Sequence, residues 1–174
     1  MNSFLFLGIV IVVIIICLHI YATLANHSER KIYYKLAVDR ATNIGRPLVV
    51  IGDPVKGVAC GLFGAAHGYG DVCVDIDPAD GRCLKKDALS YLKTLESNSC
   101  VLYTSCVLEY VDKSEIDEIV RELYRVTGSH KNLFVVHVKW YAPTAYLYRF
   151  QGDSSNNVVM SAPPVTREIE YFKL

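Results

Sequence analysis

From Phe4 to Leu24 the chain reads FLFLGIVIVVIIICLHIYATL, with no formally charged side chain. As a helix rising 1.5 Å per residue, this run is about 30 Å long, the thickness of a bilayer's hydrocarbon core. Its one ionisable group, His19, and the adjacent Tyr21 lie near its end, where an imidazole and a phenol reach the headgroup layer. His19 therefore reads as an interfacial residue. A cleaved secretory signal would have basic residues before the run, and here Met1, Asn2 and Ser3 supply only the terminal amine. Arg30, Lys31, Lys35 and Arg40 follow the span instead. This pattern predicts a retained, single-pass signal-anchor with the C-terminal domain on the cytoplasmic side.

The remainder of a 174-residue chain has room for one ordinary domain. The expected organisation is a transmembrane anchor over 1–25, a juxtamembrane helix over 26–46 and a domain over 47–174. Eighteen basic against 18 acidic side chains give zero net charge, which argues against a general nucleic-acid binder. Of the six cysteines, Cys17 lies in the apolar run, leaving an odd number downstream (Cys60, Cys73, Cys83, Cys100, Cys106) with no C-x-x-C pair. That pattern supports neither a zinc site nor a disulfide scaffold, and predicts free, partly buried thiols in a reducing compartment.

Beyond the anchor, short β-branched runs alternate with helical periodicity. Strands are expected at Leu48–Ile51, Asp71–Ile76, Cys83–Lys86, Cys100–Ser105 and Leu133–Val138, and helices over Val55–Ala66, Asp87–Leu95 and onward from Ser114 to Gly128. Ser114 and Asp117 suggest a capping box for the last helix. Tyr146–Phe150, Val158–Met160 and Thr166–Phe172 suggest a final irregular pair of strands. The pattern predicts an α/β fold, a Rossmann-like, doubly wound, mostly parallel sheet with helices on both faces. Such a sheet binds ligands at the carboxyl ends of its strands, where strand order reverses.

The residues at those ends therefore matter most. Gly52-Asp53-Pro54-Val55-Lys56-Gly57 follows the first strand; a glycine there lets backbone approach a ligand, or serves a tight turn. Asp75, with Ile76 beside it, ends the second strand near the spacing of a ribose-binding carboxylate, or is a solvated loop acid. Asp87-Ala88 follows the third strand, where the carboxylate either meets an exocyclic amine or caps the next helix. Thr104, Ser105 and Cys106 end the fourth and would face the reacting part of a ligand. Cys106 reads as a filler rather than a nucleophile, and His67 and His137 as structural. Trp140, Tyr141, Tyr146 and Tyr148 read as core and sheet surface, without the basic stripe of a base-stacking platform.

The run Lys86-Asp87-Ala88-Leu89, Ser99-Cys100-Val101-Leu102-Tyr103-Thr104-Ser105-Cys106-Val107-Leu108-Glu109-Tyr110-Val111-Asp112 and Arg121-Glu122-Leu123-Tyr124-Arg125-Val126 resembles class I S-adenosylmethionine-dependent methyltransferases. Val72-Cys73-Val74-Asp75-Ile76-Asp77-Pro78 looks like the end of that family's second strand. The resemblance spans about Pro47 to Val138. It implies S-adenosylmethionine as cofactor, with Gly52, Asp53 and Gly57 near its methionine part, Asp75 and Ile76 at the ribose, Asp87 and Ala88 at the adenine edge, and Ser105 by the transferred methyl. The acceptor would be a small molecule, lipid or protein. Three features depart from the family: Val50 stands where it has an acid, its next glycines are replaced by Pro54 and Lys56 or displaced to Gly57, and Pro78 to Arg82 replaces a helix. They support an alternative, a catalytically inactive module with protein assembly partners in a membrane-associated structure such as a virion.

Overall fold

The computed structural model describes residues 3–137 other than 80, 109, 110 and 112. The strands expected from Tyr146 onward, the aromatic cluster from Trp140 to Tyr148, and Glu109 and Tyr110 of the family-like run lie outside the described residues.

One helix, α1 (Ser3–Ile44), contains both the apolar run and the segment after it. The chain does not break between 25 and 26, where the sequence divided an anchor from a juxtamembrane helix. Asn26, His27 and Ser28 lower helix propensity by only a few tenths of a kcal/mol each, and packing on the domain supplies more than that. Residues 5 to 18 present their side chains outward, and the apolar window has a mean hydropathy of 3.0, so α1 is long and apolar enough to cross a membrane. Farther on, Ala37 and Ala41 are buried at helical spacing. Their small side chains let α1 lie close on the sheet.

That sheet has five parallel strands: β1 (Leu48–Ile51), β2 (Val72–Asp75), β3 (Leu84–Lys85), β4 (Val101–Ser105) and β5 (Leu133–Val136). Their order is β3-β2-β1-β4-β5. Between them run α2 (Val58–Phe63), α3 (Ala88–Leu92) and α4 (Lys113–Thr127). Alternate side chains of a strand point to opposite faces, and β1 shows the result. Val49 and Ile51 pack with Leu89, Leu92, Ile119 and Leu123 of α3 and α4. Leu48 and Val50 pack with Ala37 and Ala41 of α1. Helices therefore cover both faces, as expected, and the long apolar helix α1 is itself part of one of the two layers.

Most elements fall within a residue or two of their expected positions, but α3 stops three residues before its expected end at Leu95, and two further readings differ. The helix expected over Val55–Ala66 shrinks to α2, because Pro54 and the glycines at 57 and 64 hold non-helical backbone, with Gly57 at φ 110° and Gly64 at φ 76°. Ser114 lies inside α4, which begins at Lys113, and so does not cap it.

The reading of the cysteines needs correction. Cys73 and Cys83 form a disulfide, with Cα atoms 4.5 Å apart. Pairing of Val74 with Leu84 puts the preceding residues of β2 and of the β3 approach side by side, a proximity that sequence spacing conceals. Cys17, Cys60, Cys100 and Cys106 are free, and burial pushes the Cys100 thiol up to about 11. Alkylation of the denatured, unreduced chain should therefore label those four and spare Cys73 and Cys83, as read by peptide mass. Labelling of Cys73 would refute the bridge.

Candidate functional site

β1 stands at the reversal of strand order. The chain passes from β1 outward through β2 to β3, then crosses to β4 on the other side. Ile51 is level with Val74 and with Thr104, so one residue further Gly52, Asp75 and Ser105 stand level at the carboxyl edge. The Gly52 amide donates to the Val74 carbonyl at 2.9 Å. A Cβ on Gly52 would lie 2.9 Å from the Ser105 carbonyl oxygen, and the backbone there has φ +105°. Only glycine permits β1 to leave the sheet so close to β4.

Above this edge lies a cleft of about 700 Å³, within the size range of small-molecule and cofactor sites. Gly52, Asp53 and Gly57 line it after β1, Asp75 and Ile76 at the end of β2, Asp87 and Ala88 after β3, and Ser105 at the end of β4. These residues proposed from the sequence thus share one cavity, with Cys106 beside them, whereas Thr104, expected to face a ligand, is buried in the sheet and does not line it. What each side chain does there differs.

Asp75 is a hub. One carboxylate oxygen accepts from the Asp53 amide at 2.8 Å, and the other from the Asp77 amide at 2.8 Å and from Lys56 Nζ at 2.9 Å. Burial alone would raise its pKa. The Lys56 hydrogen bond and charge, with the two amides, outweigh burial and hold the carboxyl below its ordinary range. Lys56 is the only side chain among these partners, and it is 39% exposed. Asp53 is buried and committed to backbone: its oxygens accept from the Val55 amide at 2.9 Å and the Ala79 amide at 2.7 Å. It staples the loops after β1 and β2. Asp87 caps α3 by accepting from the Ser90 amide at 2.7 Å, and lines the cleft as well. Val50 is fully buried toward α1, so its position faces the core rather than the cavity.

The opposite wall was not foreseen. It consists of α1, through His19, Ala22, Thr23, Asn26, His27 and Arg30. These recur at helical spacing and begin inside the apolar run, a polar stripe that the sequence shows once one continuous helix is assumed. Arg30 latches this wall to the loop after β1. Its guanidinium, 7% exposed, donates to the carbonyls of Lys56 at 3.2 Å and Asp53 at 3.4 Å. It also meets His67 Nε2 at 3.1 Å. Tyr103 supports the latch from beneath, donating to the Arg30 carbonyl at 3.1 Å, with its ring edge against Tyr34 and His67. Asn26 Nδ2 donates to the His137 carbonyl at 2.9 Å.

No family model, curated protein or solved structure matches this chain.

The latch has a pH dependence of known sign. A guanidinium only donates, so His67 Nε2 must accept from Arg30 while Nδ1–H donates to the Gly68 carbonyl at 2.9 Å. Burial, then the Arg30 charge, lower the His67 pKa from 6.5 to about 3, against the opposing pull of Gly68. Between those values the unfolded chain binds a proton that the folded chain does not. His67 thus costs no stability above pH 6.5, and stability falls below it by up to about 1.4 kcal/mol per pH unit. His27, whose pKa is also lowered by burial and by Lys31 and Arg30, acts in the same direction. Thermal denaturation in nanodiscs should show this acid slope, and His67→Gln, which keeps an acceptor for Arg30, should flatten it. An unchanged slope would refute the assignment.

Proposed function

We propose that this protein is a membrane-anchored, S-adenosylmethionine-dependent methyltransferase-like enzyme with a Rossmann-like fold. The observation that carries the proposal is the convergence of Gly52, Asp75, Asp87 and Ser105 on one open cleft at the reversal of strand order. A ribose would take the place of Lys56 Nζ on Asp75, since that carboxylate already accepts three hydrogen bonds. Methyl transfer asks little more of the protein than alignment of donor and acceptor, because it is a displacement at a sulfonium carbon. Calorimetry of the full chain in nanodiscs with S-adenosylhomocysteine tests the proposal. Micromolar binding is expected, and absence of heat at millimolar ligand would overturn it.

A second reading, an inactive module with a structural role, draws on two observations. Lys56 occupies the carboxylate that a ribose would need, and buried Val50 leaves no acid at the end of β1 for the cofactor's amino group.

The proposed span is residues 4–24, and the positive charges after it favour a cytoplasmic body. The Cys73–Cys83 bridge favours the opposite side, because disulfides persist in oxidising compartments. Protease protection in sealed vesicles decides between them: under the cytoplasmic proposal, protease added to the cytoplasmic face digests the body.

A further inference from the structure

Resting on the methyl-transfer reading, we infer that the acceptor is a membrane-dissolved amphiphile with a weakly acidic hydroxyl, and that His27 takes the proton from that hydroxyl. Three independent features lead there. The first is the origin of the wall. The α1 stripe from His19 to Arg30 lines the cleft continuously while the helix emerges from its apolar run. On a 1.5 Å rise, His27 lies about 4–5 Å past Leu24 along the helix axis, at headgroup depth if the run spans the bilayer. A molecule lying among the lipids therefore meets the cleft without crossing water.

The second feature is the apolar lip beside it. α2 packs against α1 through the His27–Phe63 ring contact at 5.9 Å, yet leaves Leu62 77% and Phe63 52% exposed. Ile76, 70% exposed, lines the cavity itself, and Leu62 and Phe63 add greasy surface on α2, next to the lining residue His27. Such a rim loses free energy in water and gains it in contact with acyl chains.

The third feature is His27 itself. Its ring is 7% exposed and lines the cavity, and neither ring nitrogen has a hydrogen-bond partner among the described residues. Burying such a group unsatisfied is costly, and an acceptor hydroxyl would remove that cost. Desolvation and the neighbouring Lys31 and Arg30 keep the imidazole neutral near pH 7, so it has a lone pair to offer. An aliphatic hydroxyl is too weak an acid to suit this base, whereas a phenolic one, with a pKa near 10, matches it better.

The step balances. The acceptor oxygen attacks the sulfonium methyl carbon, the C–O bond forms as the C–S bond breaks, and the electron pair of the C–S bond stays on sulfur. The hydroxyl proton passes to His27, and the products are a methyl ether, S-adenosylhomocysteine and an imidazolium that later releases its proton to water.

The test uses the full chain in nanodiscs of phosphatidylcholine and phosphatidylglycerol with methyl-tritiated S-adenosylmethionine. One acceptor is pentadecylphenol dissolved in the bilayer, the other p-cresol in water. Label is expected in the pentadecylphenol methyl ether and scarcely in p-cresol. His27→Ala should lower kcat about 100-fold while S-adenosylhomocysteine affinity is unchanged. His27→Phe, which preserves the contact with Phe63, should do the same and controls for the void left by alanine. Equal use of both phenols overturns the bilayer route, and undiminished transfer in both variants overturns the role of His27. If S-adenosylhomocysteine binds but neither phenol is methylated, the inference fails while the cofactor reading stands. If S-adenosylhomocysteine does not bind, the reading beneath it fails.

Discussion

Asp75→Ala is expected to weaken S-adenosylhomocysteine binding about 100-fold. Hydrogen bonds to an ionised carboxylate contribute about 1.5–3 kcal/mol each, and two ribose hydroxyls would compete for a group whose charge is already favoured by its surroundings. Each 1.4 kcal/mol is a factor of ten, so the estimate allows for part of the loss being offset by release of Lys56. Alanine also strips acceptors from the amides of Asp53 and Asp77, so affinity has to be read beside a thermal melt. Asp75→Asn keeps an acceptor for one of those two amides and removes the charge, and should retain more of the fold than alanine does while losing most of the affinity. Lys56→Met sharpens the test. It frees the carboxylate oxygen now held at 2.9 Å and should leave binding as tight as in the wild type or tighter. Weaker binding in Lys56→Met would mean that the ion pair builds the site rather than covering it.

The second large effect is expected at Gly52. An alanine there would carry its Cβ 2.9 Å from the Ser105 carbonyl oxygen and 3.0 Å from Val107 Cγ2, on backbone at φ +105°. Backbone strain and steric overlap together should destabilise the fold by about 2–4 kcal/mol. The only relief is to push the ends of β1 and β4 apart, which is where the cleft has its floor. Loss of stability should therefore be accompanied by loss of ligand affinity. Gly61→Ala is the natural comparison: it lies within α2, a Cβ there has nothing within 4 Å, and its φ is not positive. Alanine at 61 should be neutral or stabilise by about 0.5–1 kcal/mol. If Gly52→Ala melts like Gly61→Ala, the close approach of β1 to β4 is wrong.

The legible parts of the chain were those governed by local chemistry. Leu48–Ile51 and Val101–Ser105 are short runs rich in β-branched and aliphatic residues that suit a sheet interior, and both are buried throughout. The glycine and carboxylates at the strand ends could be found because a parallel sheet brings its carboxyl edges together whatever the loops do. Non-local features were hidden. The sequence marks Asn26-His27-Ser28 as a polar junction, and only the fit of Ala37 and Ala41 against the sheet shows that the helix runs through it. Lys56 looks like any loop lysine until the register sets Asp75 beside it. The Cys73–Cys83 pair was obscured by an odd count of thiols, because nothing in the spacing tells that one loop returns alongside its own strand. His19 was placed at an interface by its position in the run, and it is also part of the cavity wall.

That α1 is unbroken from Ser3 to Ile44, and is pinned to the sheet through Arg30 and Tyr103, makes the helix a lever. Hydrophobic stretches adapt to bilayers of different thickness by tilting, and a rod without a hinge cannot tilt without carrying its load. In a thinner membrane the whole sheet would lean with the rod, raising or lowering the greasy rim around Phe63 relative to the lipid surface. On the proposed span, lipid composition would thereby alter how the cavity sits against the membrane, with no change in any side chain within it.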